Sequence, residues 1–371
     1  MKPIPISKPK ITWREYVAVL NALRSGWLTH LGPASEKMRA QLREFAQKTW
    51  ENEELDVALT SNGTVALHLA LLAAGVERDD EVIVPNLSYV AVVNSVLYCG
   101  AKPVIADINP VDWNLDIRKI QNLVSTKTKA IILVDNYGRN FTFKEARPEY
   151  LKKIKVIRDI SESFPDNEGD YYTDFDFATV SFFANKIITT GEGGAVFANK
   201  ELIKKIRILK NQGIEEKGTF NHQVLGYNYR ITNLAAAIFT SQLKQRGSII
   251  KKRKKIFDCY KKELLNLNID HSTNNDIMTS PWLFTIRLHN TNQKKLKDIQ
   301  KLLKTNKIET RTSFKPLNQI TYIQGEINNE AEMVVSKEYA ESIISLPTFI
   351  GLKKRQIRKI CELIKTEMVK I

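Results

Sequence analysis

Apolar positions recur at helical spacing from residue 13 to residue 50, interrupted at "SGWLTHLGPAS", where Gly26, Gly32 and Pro33 punctuate the run. The spacing predicts amphipathic helix on either side of that break. Beyond it the pattern alternates. "DVALTS" reads as a short strand, and "NGTVALHLALLAAG" as a helix closed by Gly75. "DEVIVPN" is a strand, followed by a helix from about Tyr89 to Tyr98. "AKPVIADI", "KAIILVDN" and "IKVIRDIS" are three further short apolar strands. "FATVSFF" and "GGAVFANK" follow and can pair through the glycine-rich turn between them. Strands alternating with helices predict an α/β fold whose central sheet is mostly parallel and covered on both faces.

A helix beginning near Leu234 ends this alternation. "SPWLFTIRL" is then a strand, residues 292–305 a Lys-rich helix and residues 353–369 a terminal helix. This change predicts a large domain over 1–244 and a smaller α+β domain over 245–371. The length of 371 residues accommodates about two domains of ~150 residues or more.

Composition narrows the function classes. With 43% hydrophobic and 26% charged residues, the chain has the make-up of a soluble globular enzyme. The excess of 56 Lys+Arg over 41 Asp+Glu gives a formal charge of +15, which suits nucleic acid or an anionic small substrate. The densest basic run, Lys251-Lys252-Arg253-Lys254-Lys255, falls in a helical stretch without interleaved aromatics or a zinc-finger pattern. It reads as a solvated helix face, and no nucleic-acid partner is expected. Cys99, Cys259 and Cys361 are too scattered for a disulfide framework. His30, His68, His222, His271 and His289 show no metal-ligand spacing, so no metal is expected. The start "MKPIPISKPKITW" has no apolar signal-peptide core, and no apolar run approaches the ~18 residues of a membrane span. A cytoplasmic protein without a membrane partner is the expectation.

Three features can carry chemistry. "TSNGT" (60–64) sits at a strand-to-helix junction, where Gly63 allows a sharp turn and helix N–H groups favour a phosphate; an ordinary N-cap gives the same pattern. It lacks the Gly-Lys-Ser/Thr ending of a Walker-A loop, and neither it nor "GEGG" forms G-x-G-x-x-G. Asp159 closes the strand "KVIRD", at the end where open α/β sheets build their sites, though a solvated or capping Asp is the plainer reading. Lys186, in "SFFANKIITTGEGG", has apolar neighbours that suit Schiff-base chemistry, while a lone lysine there is equally a snorkelling surface group. Together they match the needs of pyridoxal phosphate. The turn takes its phosphate, the Asp keeps its ring nitrogen protonated and the Lys forms the imine.

With these residues in view, the chain resembles the DegT/DnrJ/EryC1/StrS family of sugar aminotransferases, fold-type-I pyridoxal-phosphate enzymes that usually transaminate nucleotide-linked keto sugars. The matching stretches include "SGWLTHLGP", "SNGTVALHLALLAAG", "SFFANKIITTGEGGAVFANK", "LGYNYRITNLAAAI" and "SLPTF", and they span nearly the whole length. The resemblance implies that Lys186 holds the cofactor, Asp159 faces its ring nitrogen and Glu162 lies near its ring hydroxyl. Tyr89 stacks on the ring. Gly63, Thr64 and Ser181 hold the phosphate, which Asn228 reaches from the other subunit of a homodimer with shared active sites. By family habit L-glutamate is the amino donor. Two stretches depart from relatives: "VDNYGRN" stands where "VHLYGH" is common, and "RTSFKPLN" where others read close to "RPVFYPVH". Both are expected around the substrate. The segment of Trp27 and His30 is expected to border it as well, so Trp27, His30, Arg139, Arg311 and Lys315 are the candidate substrate contacts. An anionic keto substrate fits, either a GDP- or UDP-4-keto-6-deoxyhexose for surface-glycan synthesis or a small ketone such as dihydroxyacetone phosphate. A regulatory protein that keeps the cofactor pocket without catalysis is the alternative of a different class.

Overall fold

The computed structural model describes residues 2–141, 147–165, 173–215, 219–273, 280–289, 291, 293–327 and 332–369. Local signals set the ends of its first elements. Helix α1 (Trp13–Arg24) opens on a capping box in which Glu15 reaches back to the Thr12 N–H at 2.7 Å. Helix α2 (Pro33–Thr49) begins with proline, which has no N–H to leave unpaired. Strand β1 (Leu55–Thr60) is buried throughout, and α3 (Gly63–Ala73) is capped by Asn62, which accepts the Val65 N–H at 3.0 Å.

The alternation continues through β2 (Glu81–Pro85), α4 (Ala91–Tyr98), β3 (Lys102–Ala106), β4 (Thr128–Val134), β5 (Lys155–Asp159), β6 (Phe177–Ser181), β7 (Gly194–Asn199) and α5 (Lys200–Leu209). These strands form one seven-stranded sheet in the order β1-β7-β6-β5-β4-β2-β3. All its pairings are parallel except those of β7, which runs antiparallel to β1 and β6. The mostly parallel sheet is thus the predicted one. Its Val, Ile and Ala side chains are buried on both faces, beneath α3, α4 and α5 on one side and α2 with the long helix α6 (Asn233–Leu264) on the other.

The 32 residues of α6 span about 48 Å, and residue 245 lies within the unbroken helix. Its far end carries a second sheet of β8 (Ile269–His271), β9 (Phe284–Leu288), β10 (Arg311–Thr312) and β11 (Ile343–Leu346), in the antiparallel order β10-β11-β9-β8. Helices α7 (Gln293–Thr305), α8 (Thr321–Gln324), α9 (Val334–Ala340) and α10 (Lys354–Val369) complete this part, and residue 292 of the predicted Lys-rich helix lies outside the described residues. The amino-terminal segment ties in here, with Ile4 bridged to Ile308 and the Ile6 N–H on Glu309 at 3.0 Å.

In the basic run, Lys251, Lys252, Lys254 and Lys255 are exposed while Arg253 is buried, its Nε donating to the Pro281 carbonyl at 2.7 Å and a second nitrogen to that of Trp282. Among the described residues no helix is long and apolar enough to cross a membrane, and no cluster of ligating side chains could hold a metal ion.

Candidate active site

Strands β1, β2, β4, β5 and β6 all end at the same edge of the large sheet, and a cavity of about 490 Å³ opens there. Asn62, Gly63 and Thr64 contribute the start of α3, Asp159 the end of β5, and Ser181 the end of β6. Glu162, Lys186 and Tyr89 line it too. From the smaller part come Trp282, Arg311 and Phe314. Sequence-predicted residues far apart in the chain thus meet in one place.

The floor of the cavity shows why Gly63 is glycine. A Cβ there would stand 2.8 Å from the Ser181 Cβ, and one on Gly194 would stand 2.6 Å from the Asn62 carbonyl oxygen. Both glycines let the helix start sink against β6 and β7. Asn62 consumes the Val65 N–H, and its carbonyl takes the Ala66 N–H at 3.3 Å. Gly63 and Thr64 stand ahead of both bonds, so their N–H groups, with the Ser181 hydroxyl nearby, form a cradle for an anion.

Lys186 is held by two contacts. Its Nζ lies 3.6 Å from Glu162 Oε1 and 4.4 Å from the centroid of the Trp282 ring. The Trp282 indole N–H donates to the Asn185 carbonyl at 3.0 Å, so the ring is fixed from behind. The other Glu162 oxygen accepts the Tyr137 N–H at 2.8 Å. Burial pushes the Glu162 carboxyl up to about 7, against the opposing pull of the Lys186 ammonium. Burial raises Asp159 as well. Its Oδ1 accepts both the Ser161 N–H (3.0 Å) and the Ser161 hydroxyl (2.6 Å), which restrain that rise. Asp159 makes no ion pair among the described residues, so a protonated ring nitrogen is a partner its environment lacks.

These features fit pyridoxal phosphate. The cradle suits a phosphate, the buried carboxyl suits a pyridinium, and Lys186 is an amine within the same cavity. Asn136 and Asn185, which also line it, each have a buried side-chain oxygen without a hydrogen-bond partner. Such orphaned acceptors match donors that a bound molecule brings.

Other expected contacts lie elsewhere. Trp27 is half exposed and His30 partly buried, and neither lines the cavity. Asn228 is exposed outside the cavity of its own chain. Lys315 is exposed and does not line it, while Asn318 donates its N–H to Asn86 Oδ1 at 3.0 Å. Arg139 requires a correction. It is 1% exposed, its guanidinium lies 4.5 Å above the Trp113 ring, and it donates to the carbonyls of Asp112 (3.0 Å), His271 (3.0 Å) and Val111. Asp135 turns inward likewise, ion-paired with the buried Arg158 at 2.9 Å and accepting the Ser163 hydroxyl. The rewritten "VDNYGRN" segment is therefore mainly an internal polar network, because each of its charges finds a buried partner. Of that segment's departures from the relatives' pattern, only Asn136 lines the cavity.

Sequence reasoning missed Trp282, Asn185, Phe314 and Ser161. Ser161 had a local signal, a hydroxyl two residues after a strand-end Asp. Trp282 had none, since "SPWLF" reads only as the start of a strand.

Fold and site together define a pyridoxal-phosphate-dependent aminotransferase of fold type I. The chain belongs to the DegT/DnrJ/EryC1/StrS aminotransferase family, whose profile matches residues 9–365. It is 35% identical over 367 residues to GDP-perosamine synthase of Escherichia coli O157:H7, covering 98% of each chain. Its fold is similar to that of Helicobacter pylori PseC, an aminotransferase involved in the biosynthesis of pseudoaminic acid, with a TM-score of 0.88, 26% identity and full coverage of both chains. It is likewise similar to the pyridoxal-phosphate form of the putative sugar aminotransferase Spr1654 from Streptococcus pneumoniae, with a TM-score of 0.87, 25% identity and 98% of each chain covered.

Proposed function

We propose that this enzyme moves an amino group from L-glutamate to a GDP- or UDP-linked 4-keto-6-deoxyhexose, making an amino sugar nucleotide for a surface glycan. The observation that carries the reading is likeness to GDP-perosamine synthase over nearly all of both chains, coupled to a cavity holding Lys186, Asp159 and the Gly63 cradle together. The case for a small phosphorylated ketone rested on the rewritten loops, whose added cations Arg139 and Lys315 suit any anionic substrate. Arg139 is buried in an internal network and Lys315 does not line the cavity, so neither cation supports it.

Bound pyridoxal phosphate supplies the electron sink for charge left when a proton leaves the amino-bearing carbon. The remaining work falls to side chains. Lys186 Nζ would hold the cofactor, and its amine would serve as general base and acid for that proton. Asp159 keeps a proton on the ring nitrogen. Glu162 would lie near the ring hydroxyl, and Tyr89 would stack on the ring. Gly63, Thr64 and Ser181 hold the phosphate, and Arg311 meets the anionic substrate at the cavity mouth.

The working unit in this reading is a homodimer, with the partner's Asn228 completing each phosphate site. A second copy also suits α1, which leaves Trp13, Tyr16, Val17, Leu20 and Leu23 exposed along one face. The test is a screen with ¹⁵N-labelled L-glutamate against GDP- and UDP-4-keto-6-deoxyhexoses and dihydroxyacetone phosphate. Label in an amino sugar nucleotide supports the reading. Turnover of the small ketone alone contradicts it.

A further inference from the structure

The segment 227–229 is pinned along one side and offers a single polar group on the other. Tyr227 donates its N–H to the Leu209 carbonyl at 2.6 Å, Tyr229 its N–H to Lys210 at 3.1 Å, and the Gln212 N–H returns to Tyr227 at 3.0 Å. Asn228 is thereby paired antiparallel with Asn211. The Tyr229 carbonyl accepts the Ser61 N–H at 3.2 Å, which ties the segment to the turn that opens α3.

Arg230 then acts on both paired asparagines. Its Nε donates to Asn228 Oδ1 at 2.9 Å and its Nη1 to Asn211 Oδ1 at 2.8 Å. A guanidinium has donors and no acceptor, so an amide facing it must turn its oxygen inward. The consequence for Asn228 is fixed by chemistry: the carbonyl is consumed and the NH₂ is what it shows outward. Arg230 makes no ion pair among the described residues, so its charge is not cancelled by a neighbouring carboxylate. It therefore polarises the Asn228 amide toward stronger donation.

We infer that Arg230 is a positioning residue that sets Asn228 as an outward-facing, charge-assisted donor for the phosphate in the partner's active site. The inference rests on the proposed dimeric reading, in which Asn228 crosses to that phosphate. Arginine suits the task because one planar fork reaches two amide oxygens at once; a lysine would keep the charge and lose the paired geometry.

The test is pyridoxal phosphate titrated into cofactor-free homodimer, followed by absorbance, with the ³¹P resonance of the bound phosphate as a second readout. Asn228→Ala and Arg230→Gln should each weaken binding by about tenfold to a hundredfold and shift the ³¹P signal alike. Arg230→Lys should recover part of the affinity, and Asn211→Ala should weaken it less than Arg230→Gln does. Mixed dimers give the direction of action. A wild-type chain paired with one carrying both Lys186→Ala and Arg230→Gln should bind cofactor weakly at its intact lysine. An Arg230→Gln chain paired with a Lys186→Ala chain should bind it normally. If Asn228→Ala weakens binding while Arg230→Gln and its ³¹P signal match wild type, the role of Arg230 is refuted and the shared-site reading stands. If Asn228→Ala itself binds as tightly as wild type, the shared-site reading falls and this inference with it.

Discussion

The Lys186 ammonium stands 3.6 Å from the Glu162 carboxylate, with the Trp282 ring against the same ammonium. A buried acid thus holds the amine proposed to anchor the cofactor. Burial lifts Glu162 to about 7. Between its ordinary value and that pH, the native protein binds more protons than the unfolded chain. This contribution is fully present below the ordinary carboxyl range and is lost as pH rises through about 7. Thermal melts of cofactor-free protein should therefore show a stability decline over that window of no more than about 3 kcal/mol, absent in Glu162→Gln. A variant with an unchanged slope would remove Glu162 as its source.

Gly63→Ala tests the phosphate cradle. The added methyl meets the Ser181 Cβ at 2.8 Å and forces the helix start away from β6. The expected result is a folded protein destabilised by about 1–3 kcal/mol, with pyridoxal phosphate bound at least about tenfold more weakly. Equilibrium dialysis against the cofactor, alongside a denaturant melt, reads both quantities. Affinity unchanged from wild type would place the phosphate elsewhere.

His68 belongs to the same helix, α3, and has no hydrogen-bond partner at either ring nitrogen. It packs edge-on to Tyr98, Tyr227 and Tyr229, and burial lowers it to about 4. Here the unfolded chain binds the extra proton, so stability is present above the ordinary histidine range and falls as pH drops toward 4. Between pH 6.5 and 5 this contribution costs about 2 kcal/mol. His68→Phe should flatten the acid limb of a pH–stability profile and leave stability at pH 7.5 within about 1 kcal/mol of wild type. An acid limb as steep as before would assign it to other groups.

Arg139 and Arg311 separate structure from substrate binding. Arg139→Ala strips a buried guanidinium from three carbonyls and the Trp113 ring, and should cost about 2–4 kcal/mol of stability. The folded fraction should keep its KM for the keto substrate. Arg311→Ala should do the reverse, raising that KM by about tenfold with little change in melting. Equal KM effects in the two variants would mean that the distinction drawn from burial is wrong.

The fold was legible because its signals are local. Periodicity marks α1, α2 and α10, and the apolar runs around Ile131 and Ile157 are short and β-branched, as strands buried on both faces are. The gathering of Asp159, Gly63 and Lys186 at one cavity was legible only from the three together: each ends or follows a strand of the large sheet, and each alone has a plainer structural reading. Arg139 was not legible. Its role depends on Trp113 and on carbonyls at Val111, Asp112 and His271, contacts made across the fold that no spacing encodes. Trp282 was hidden the same way, since the long helix α6 brings it to Lys186 through Arg253. Asn228 shows a third case, a side chain whose proposed target belongs to another copy of the chain.

The central claim is that Lys186 carries the cofactor and performs transamination, and absorbance reads it directly. Cofactor-free protein incubated with pyridoxal phosphate should turn yellow, and L-glutamate should bleach that band. Lys186→Ala should retain the cofactor without the wild-type band and should not bleach through turnover. A protein that stays colourless with pyridoxal phosphate, or a Lys186→Ala variant with the wild-type spectrum and glutamate response, would contradict the account.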